Sequence, residues 1–267
     1  MKRAAFGYPK PGVEADALYC GNGTKSRTIM SGCIHSYIIF GRKEVTMIDL
    51  NRADLLAMRQ RRLAETAYEG TEGCVLWQDG AIYSDITDGK RLCEILDTLP
   101  LQHIEVCAVK SRSAADAMKA RCGFTGENPC SQWVYTLPTA PQTGSFDIRI
   151  LRQEDVSLAA AHYHMIDDPA DYFRACIERE WIWGLYDEGQ LAGFIGLHPE
   201  GSMGMLEILP QYRRRGYGYA LEAHLIAVHL QRGWTPYCHV VDGNEASLAL
   251  QQKLGLVKAD LPAIWVF

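Results

Sequence analysis

The chain of 267 residues is long enough for two ordinary domains, and with 48% hydrophobic residues it can fill two cores. Its 27 basic and 32 acidic side chains leave a formal net charge of −5, which argues against a nucleic-acid or anionic-membrane partner. Nine cysteines without a C-x-x-C pair fit neither a disulfide framework nor a zinc site. No apolar run has the length of a membrane span, and Met1-Lys2-Arg3 leads into Phe6-Gly7-Tyr8-Pro9 without an apolar signal region. A cytoplasmic protein is the expectation.

In chain order, Gly21-Asn22-Gly23-Thr24-Lys25-Ser26 looks like a phosphate loop, but no Gly immediately precedes the Lys and no buried strand leads in, so it reads as a turn. Residues 35–40 and 44–49 flank Gly41-Arg42-Lys43 as a hairpin, and residues 53–68 read as a helix stopped at Gly70. Asp79-Gly80 turns a second hairpin. A helix near residues 90–97, a strand at 104–109, a helix at 113–122 and a strand at 131–137 follow, before a linker rich in Pro, Thr, Gln and Gly at 138–145. Beyond it come a strand from Asp147, a helix opened by Gln153-Glu154-Asp155, a helix over 168–179, and a hairpin turning at Glu188-Gly189. His162 and His164 near Asp167 and Asp168 do not share a helix face and fit no zinc pattern; no metal is expected.

The chain is organised around residues 203–231. Met203 to Leu209 is a short apolar run stopped by Pro210. Arg213-Arg214-Arg215-Gly216-Tyr217-Gly218 follows, and from Tyr219 the apolar positions Leu221, Leu225 and Val228 recur at helical spacing up to Gly233. A helix start offers unpaired N–H groups and the positive end of the macrodipole, glycines let the backbone approach closely, and arginines add charge, so the loop suits a diphosphate. Asn244 is a natural N-cap for a helix from Glu245 to Leu254, which Gly255 ends.

The run P-Q-Y-R-R-R-G-Y-G resembles the acyl-CoA pyrophosphate loop of the GNAT superfamily of N-acyltransferases, with Arg213, Gly216 and Gly218 filling its core pattern. The segment from Asp242 to Leu256 resembles the second CoA-binding segment of that superfamily. The resemblance spans roughly residues 146–267 and leans toward the glycine N-acyltransferase-like branch, notably in T-P-Y-C-H-V-V-D-G-N-E-A-S. It implies acetyl-CoA as acyl donor, held by Arg213, Arg214, Arg215, Gly216, Tyr217, Gly218 and Tyr219, with Asn244 and Ser247 on the pantetheine or phosphate arm. Backbone N–H groups near Ile208 and Leu209 would polarise the thioester carbonyl. Glu207, in phase with Met203 and Met205, is implied as general base. His239, on the strand beside the presumed thioester, is a second acid–base candidate. One departure is Gln251, which stands where many relatives carry a Tyr that protonates the leaving sulfur.

The halves align at an offset of 132 residues, which pairs Gly123 with Gly255 and Trp133 with Trp265, together with Val109 and Val241, Ala114 and Ala246, and Phe124 and Leu256. The expected fold is therefore α/β, two GNAT-like mixed-sheet domains in tandem, with a degenerate domain at 1–140 and a catalytic one at 141–267. In the first half Thr87-Asp88-Gly89 replaces the arginine-rich loop, and an Asp there would repel a diphosphate. The expected activity is transfer of an acyl group, acetyl foremost, to the primary amine of a small molecule or amino acid. A protein or peptide amine, a non-catalytic acyl-CoA sensor and a nucleotide-binding module stay open as alternatives, as does assembly into a homodimer.

Overall fold

The computed structural model describes residues 36–41, 44–166 and 168–267; the turn at residues 21–26, Cys20, Cys33, the turn residues Arg42 and Lys43, and Asp167 lie outside them. A hairpin of β1 (Ser36–Gly41) and β2 (Glu44–Asp49) leads into α1 (Ala53–Gln60). Then follow β3 (Glu65–Gly70), β4 (Gly73–Gln78), β5 (Ala81–Ser84), α2 (Gly89–Asp97), β6 (Val106–Val109), α3 (Arg112–Cys122) and β7 (Glu127–Val134). After the linker come β8 (Asp147–Ile150), α4 (Val156–His162), α5 (Ala170–Glu178), β9 (Ile182–Asp187), β10 (Gln190–Leu197) and β11 (Met203–Ile208). The chain closes with α6 (Tyr217–Gln231), β12 (Tyr237–Val241), α7 (Glu245–Leu254) and β13 (Val257–Val266). No helix among the described residues is long and apolar enough to cross a membrane.

The helix expected over residues 53–68 is corrected. It ends at Gln60, Arg62 takes a φ of 54°, and Glu65–Gly70 becomes an edge strand antiparallel to β4. Leu, Ala, Met, Arg and Glu make this run locally helical, but edge pairing overrides the preference. The chain is pinned where it leaves the helix, because Arg61 donates to the Gly201 carbonyl at 2.8 Å and lies 4.0 Å from the centre of the Trp234 ring.

Strands β11-β10-β9-β8 form an antiparallel sheet, and β12-β7-β13-β6-β5-β4-β3 form a seven-stranded mixed sheet. The large sheet takes strands from both sides of residue 140. β7 lies between β12 and β13, with Val134 opposite both Tyr237 and Val257, while β13 pairs on its other edge with β6, Ile264 opposite Val109. The C-terminal strand of each half thus joins the strands of the other. The cores follow: Trp133 packs with Trp183, Leu221 and Leu225, whereas Trp265 packs with Leu55, Met58 and Tyr83, edge-on to the Tyr83 ring at 5.8 Å.

The same order creates a gap. β5 and β6 are laddered in parallel, from Ala81 opposite Val106 to Ser84 opposite Val109, whereas β11 and β12 belong to different sheets. α6 and α7 start beside this opening, and α7 is capped by Asn244, whose side chain accepts from the Ser247 N–H at 3.2 Å.

Candidate active site

The opening between β11 and β12 leads into a cavity of about 600 Å³. It is lined by Glu207, Ile208, Arg213, Arg214 and Gly218 at one end, by Asn244, Ser247, Leu250 and Gln251 from α7, and by His198, Glu200 and Ser202 beyond β11. The first half contributes Gln78, Tyr83, Val106, Asn128 and Cys130 to the wall. Such a concave, mostly apolar site with a few polar groups is the usual form of a small-molecule pocket.

Three features make the loop before α6 receptive to an anion. Gly216 adopts φ 82°, a conformation glycine takes without a Cβ penalty, and as N-cap it has no side chain to occupy the open N–H groups of the first turn. No acidic residue lies in that turn. A Cβ placed on Gly218 would meet nothing nearer than 3.9 Å, so a side chain there would make only ordinary contacts and packing within the protein does not demand glycine. The corresponding start of α2 is already filled: Asp88 accepts from the N–H groups of Lys90 and Arg91, and the Gly89 N–H donates to Ser113 Oγ at 3.0 Å.

The arginines diverge. Arg213 donates to the Ile208 carbonyl at 2.9 Å and to Glu207 Oε1 at 3.1 Å, and Arg215 pairs with Asp187 at 2.9 Å. Arg214, at φ 67°, lines the cavity. Leu209, Arg215, Gly216, Tyr217 and Tyr219 are not part of the wall. Tyr217 packs edge-on against Phe146, and Lys253 sits over the Tyr219 ring. Leu209 cannot polarise a carbonyl as expected, because its N–H already donates to the Ala192 carbonyl at 2.9 Å.

Strand β11 also departs from simple alternation. Between the pairs Phe194–Glu207 and Gly196–Gly204, Met205 and Leu206 stand opposite the single residue Ile195, and Met205 takes φ 55°. This is a β-bulge, and a non-glycine residue in that conformation costs about 1–3 kcal/mol and persists only where its surroundings enforce it. The bulge flips the phase: Met203 packs into the α6 core, Met205 into the core with Phe173 and Phe194. Glu207 is therefore in phase with Met205 but not with Met203, and its side chain is 28% exposed.

His239 is held from behind. The Gln132 amide donates to the Leu50 carbonyl, so Gln132 Oε1 accepts from Lys110 at 2.7 Å and from His239 Nε2 at 3.0 Å. Lys110 also ion-pairs with Asp54, and all four side chains are almost wholly buried. Burial alone would raise the Asp54 carboxyl, but Lys110 and His239 hold it well below the carboxylate range. The remaining nitrogen, Nδ1, is buried with no partner among the described residues. His239 borders the cavity without opening a ring nitrogen onto it, which does not fit the acid–base role expected from sequence. The pKa of His198, which also lines the cavity, is lowered mainly by burial, against the opposing charge of Glu200.

The sequence reading missed Glu222. It lies on the cavity face of α6, 3% exposed, beside the buried Gln251, and burial, opposed by a hydrogen bond with Gln251, pushes its carboxyl up to about 7. Its signal was a lone carboxylate inside the apolar helical stripe Ala220-Leu221-Glu222-Ala223. No group of residues able to hold a metal ion occurs among the described residues.

Residues 148–256 match the sequence model of the Acetyltransferase (GNAT) family. No curated protein matches the chain. Among solved structures, a Drosophila protein is 22% identical, with 81% of this chain and 89% of that one covered and a TM-score of 0.59. A GCN5-related N-acetyltransferase from Kribbella flavida is 13% identical, with 80% and 95% covered and a TM-score of 0.51. At these identities the structures speak for the fold alone, and the sequence similarity to the Acetyltransferase (GNAT) family is confined to residues 148–256.

Proposed function

We propose that the protein is an acyl-CoA-dependent N-acyltransferase, moving an acyl group, acetyl foremost, to the primary amine of a small molecule or amino acid. The observation that carries this reading is the uncapped start of α6 beside Arg213, Arg214 and Gly218, opening directly into a cavity large enough for a thioester arm and an acceptor. Acetyl-CoA would supply the activated acyl group. The first-turn N–H groups and Arg213 and Arg214 would hold its diphosphate; Ser247 and the free amide nitrogen of Asn244 would meet the arm.

Glu207 is the base in this reading. It lies on the strand facing the cavity and takes the amine proton directly or through water, while the paired Arg213 moves to the incoming phosphates. The acceptor would occupy the chamber of His198, Glu200 and Tyr83, which the first half helps to build. An amino-acid or small amine acceptor follows the glycine N-acyltransferase-like resemblance.

The first half, residues 1–140, is read as a degenerate GNAT-like copy preceding the catalytic half, 141–267. In support, its parallel pair β5–β6 is closed, its helix start is sealed by Asp88 and Ser113, and its β6-α3-β7 order parallels β12-α7-β13. An amine panel with acetyl-CoA, read by release of free thiol, tests the function. Acceptor-dependent release is expected; tight CoA binding without release across amino acids, small amines and peptides would favour a sensor.

A further inference from the structure

Breaking a thioester leaves a thiolate that needs a proton, and the proton must come from the wall that the thiol end of the arm reaches. On α6 a residue four positions on lies on the same face, one turn of about 5.4 Å deeper. Gly218 borders the diphosphate loop, and Glu222 is the next residue along that face; both line the cavity. α7 converges on the same place, because Ser247 and Gln251 share its cavity face at the same spacing. Two helix faces therefore lead from the loop to a single ionisable side chain, Glu222.

Resting on the acyl-CoA transfer reading, we infer that Glu222 is the catalytic acid that protonates the departing sulfur. The amine nitrogen bonds to the carbonyl carbon, the C–S bond breaks with its electron pair going to sulfur, and the Glu222 O–H proton passes to that sulfur. The proton lost by the amine goes to Glu207, and Glu222 regains its proton from solvent. Gln251, the polar neighbour of Glu222, has no ionisable proton, and its own Oε1 is buried with no partner among the described residues. The Cys238 thiol of β12 faces the same carboxyl but is pushed well above its ordinary range by burial and by Glu222.

The carboxyl is in the right state for this work. Burial is the larger influence on it, Gln251 of α7 opposes, and no charged side chain of β9, β10 or β11 perturbs it, so it titrates near neutrality and carries its proton below that. An acid poised there can both release and recover a proton at working pH.

Difference infrared spectroscopy of the full-length protein tests the assignment without an acceptor. The wild type at pH 6 is expected to show a protonated-carboxyl band, absent from Glu222→Gln, that shifts on adding CoA and stays in place with desulfo-CoA, which lacks only the thiol. Glu222→Gln should bind CoA within about twofold of the wild type. A band that is missing, that ignores bound CoA, or that moves equally with desulfo-CoA would overturn the proposal. CoA failing to bind wild type and variant alike would instead sink the acyl-CoA reading, and this inference with it.

Discussion

Trp133 and Trp265, which the sequence aligns at equivalent places in the two halves, are packed in each other's cores: Trp133 against Trp183 under α6, Trp265 against Tyr83. Strands β7 and β13 have crossed over, and neither half is a closed sheet by itself. The full chain should unfold in one cooperative transition. A fragment of residues 141–267 would leave β12 and β13 without β7 between them and should neither melt cooperatively nor bind acetyl-CoA. Trp265→Ala should cost about 3–5 kcal/mol in denaturant unfolding. A well-folded, CoA-binding fragment would contradict the exchange.

Gly216 and Gly218 should respond differently to substitution. Gly218→Ala meets only ordinary contacts and replaces a poor helix former, so stability should hold or rise by up to about 1 kcal/mol while CoA affinity falls at least about tenfold. Gly216→Glu places a carboxylate and a strained φ at the helix start and should abolish CoA binding. Residual stoichiometric binding in Gly216→Glu would mean that the first half is itself competent. Calorimetric titration with thermal melts separates these outcomes.

The Arg213–Glu207 pair is partly exposed, so breaking it should change stability by less than about 1 kcal/mol. Glu207→Gln should keep or slightly improve CoA affinity, since Arg213 is released, and lower turnover roughly a hundredfold. Arg213→Ala should weaken CoA binding. Turnover unchanged in Glu207→Gln would remove Glu207 from the chemistry.

The buried Asp54–Lys110 pair should behave asymmetrically. Lys110→Met strands a buried carboxylate and should cost about 3–5 kcal/mol, while adding Asp54→Asn should recover part of the loss. The folded-state pKa of Asp54 lies below its ordinary 3.8, so the unfolded chain binds more protons between the two values. The stability that Asp54 contributes is present above about pH 4 and drains away as pH falls. Acid unfolding midpoints of wild type and Asp54→Asn measure this.

Glu222 gives the opposite slope. Its carboxyl rises from 4.5 to about 7 on folding, so the folded chain binds the extra proton between those values and stability falls as pH climbs through that window. The loss is on the order of 3 kcal/mol, and Glu222→Gln should remove it. Parallel pH-dependence curves in urea would reveal no such contribution.

Local signals were legible in the sequence where local forces decide. The glycines before α6, the cap at Asn244, and the turns at Asp79-Gly80 and Glu188-Gly189 fall where the residue chemistry places them. Non-local pairing was not legible. Nothing within residues 65–70 announces the neighbour that makes them a strand, and the offset between halves aligns Trp133 with Trp265 without saying that their strands trade places. The bulge at Met205 hid for the same reason: alternation predicts one face for Met203, Met205 and Glu207, and only the count against β10 breaks it. Glu222 was visible as a misplaced charge, but its meaning depends on Gln251 and the cavity, which a helix read alone does not contain.

The most direct test of the account is thermal unfolding of the full chain with acetyl-CoA, longer acyl-CoAs, free CoA and ATP. A ligand at a hundred times its dissociation constant stabilises the fold by roughly 2.7 kcal/mol. The account predicts a clear upward shift with CoA species, absent with ATP and lost in Gly216→Glu. No shift with any CoA species would contradict it, leaving the loop from Arg213 to Gly218 a basic turn.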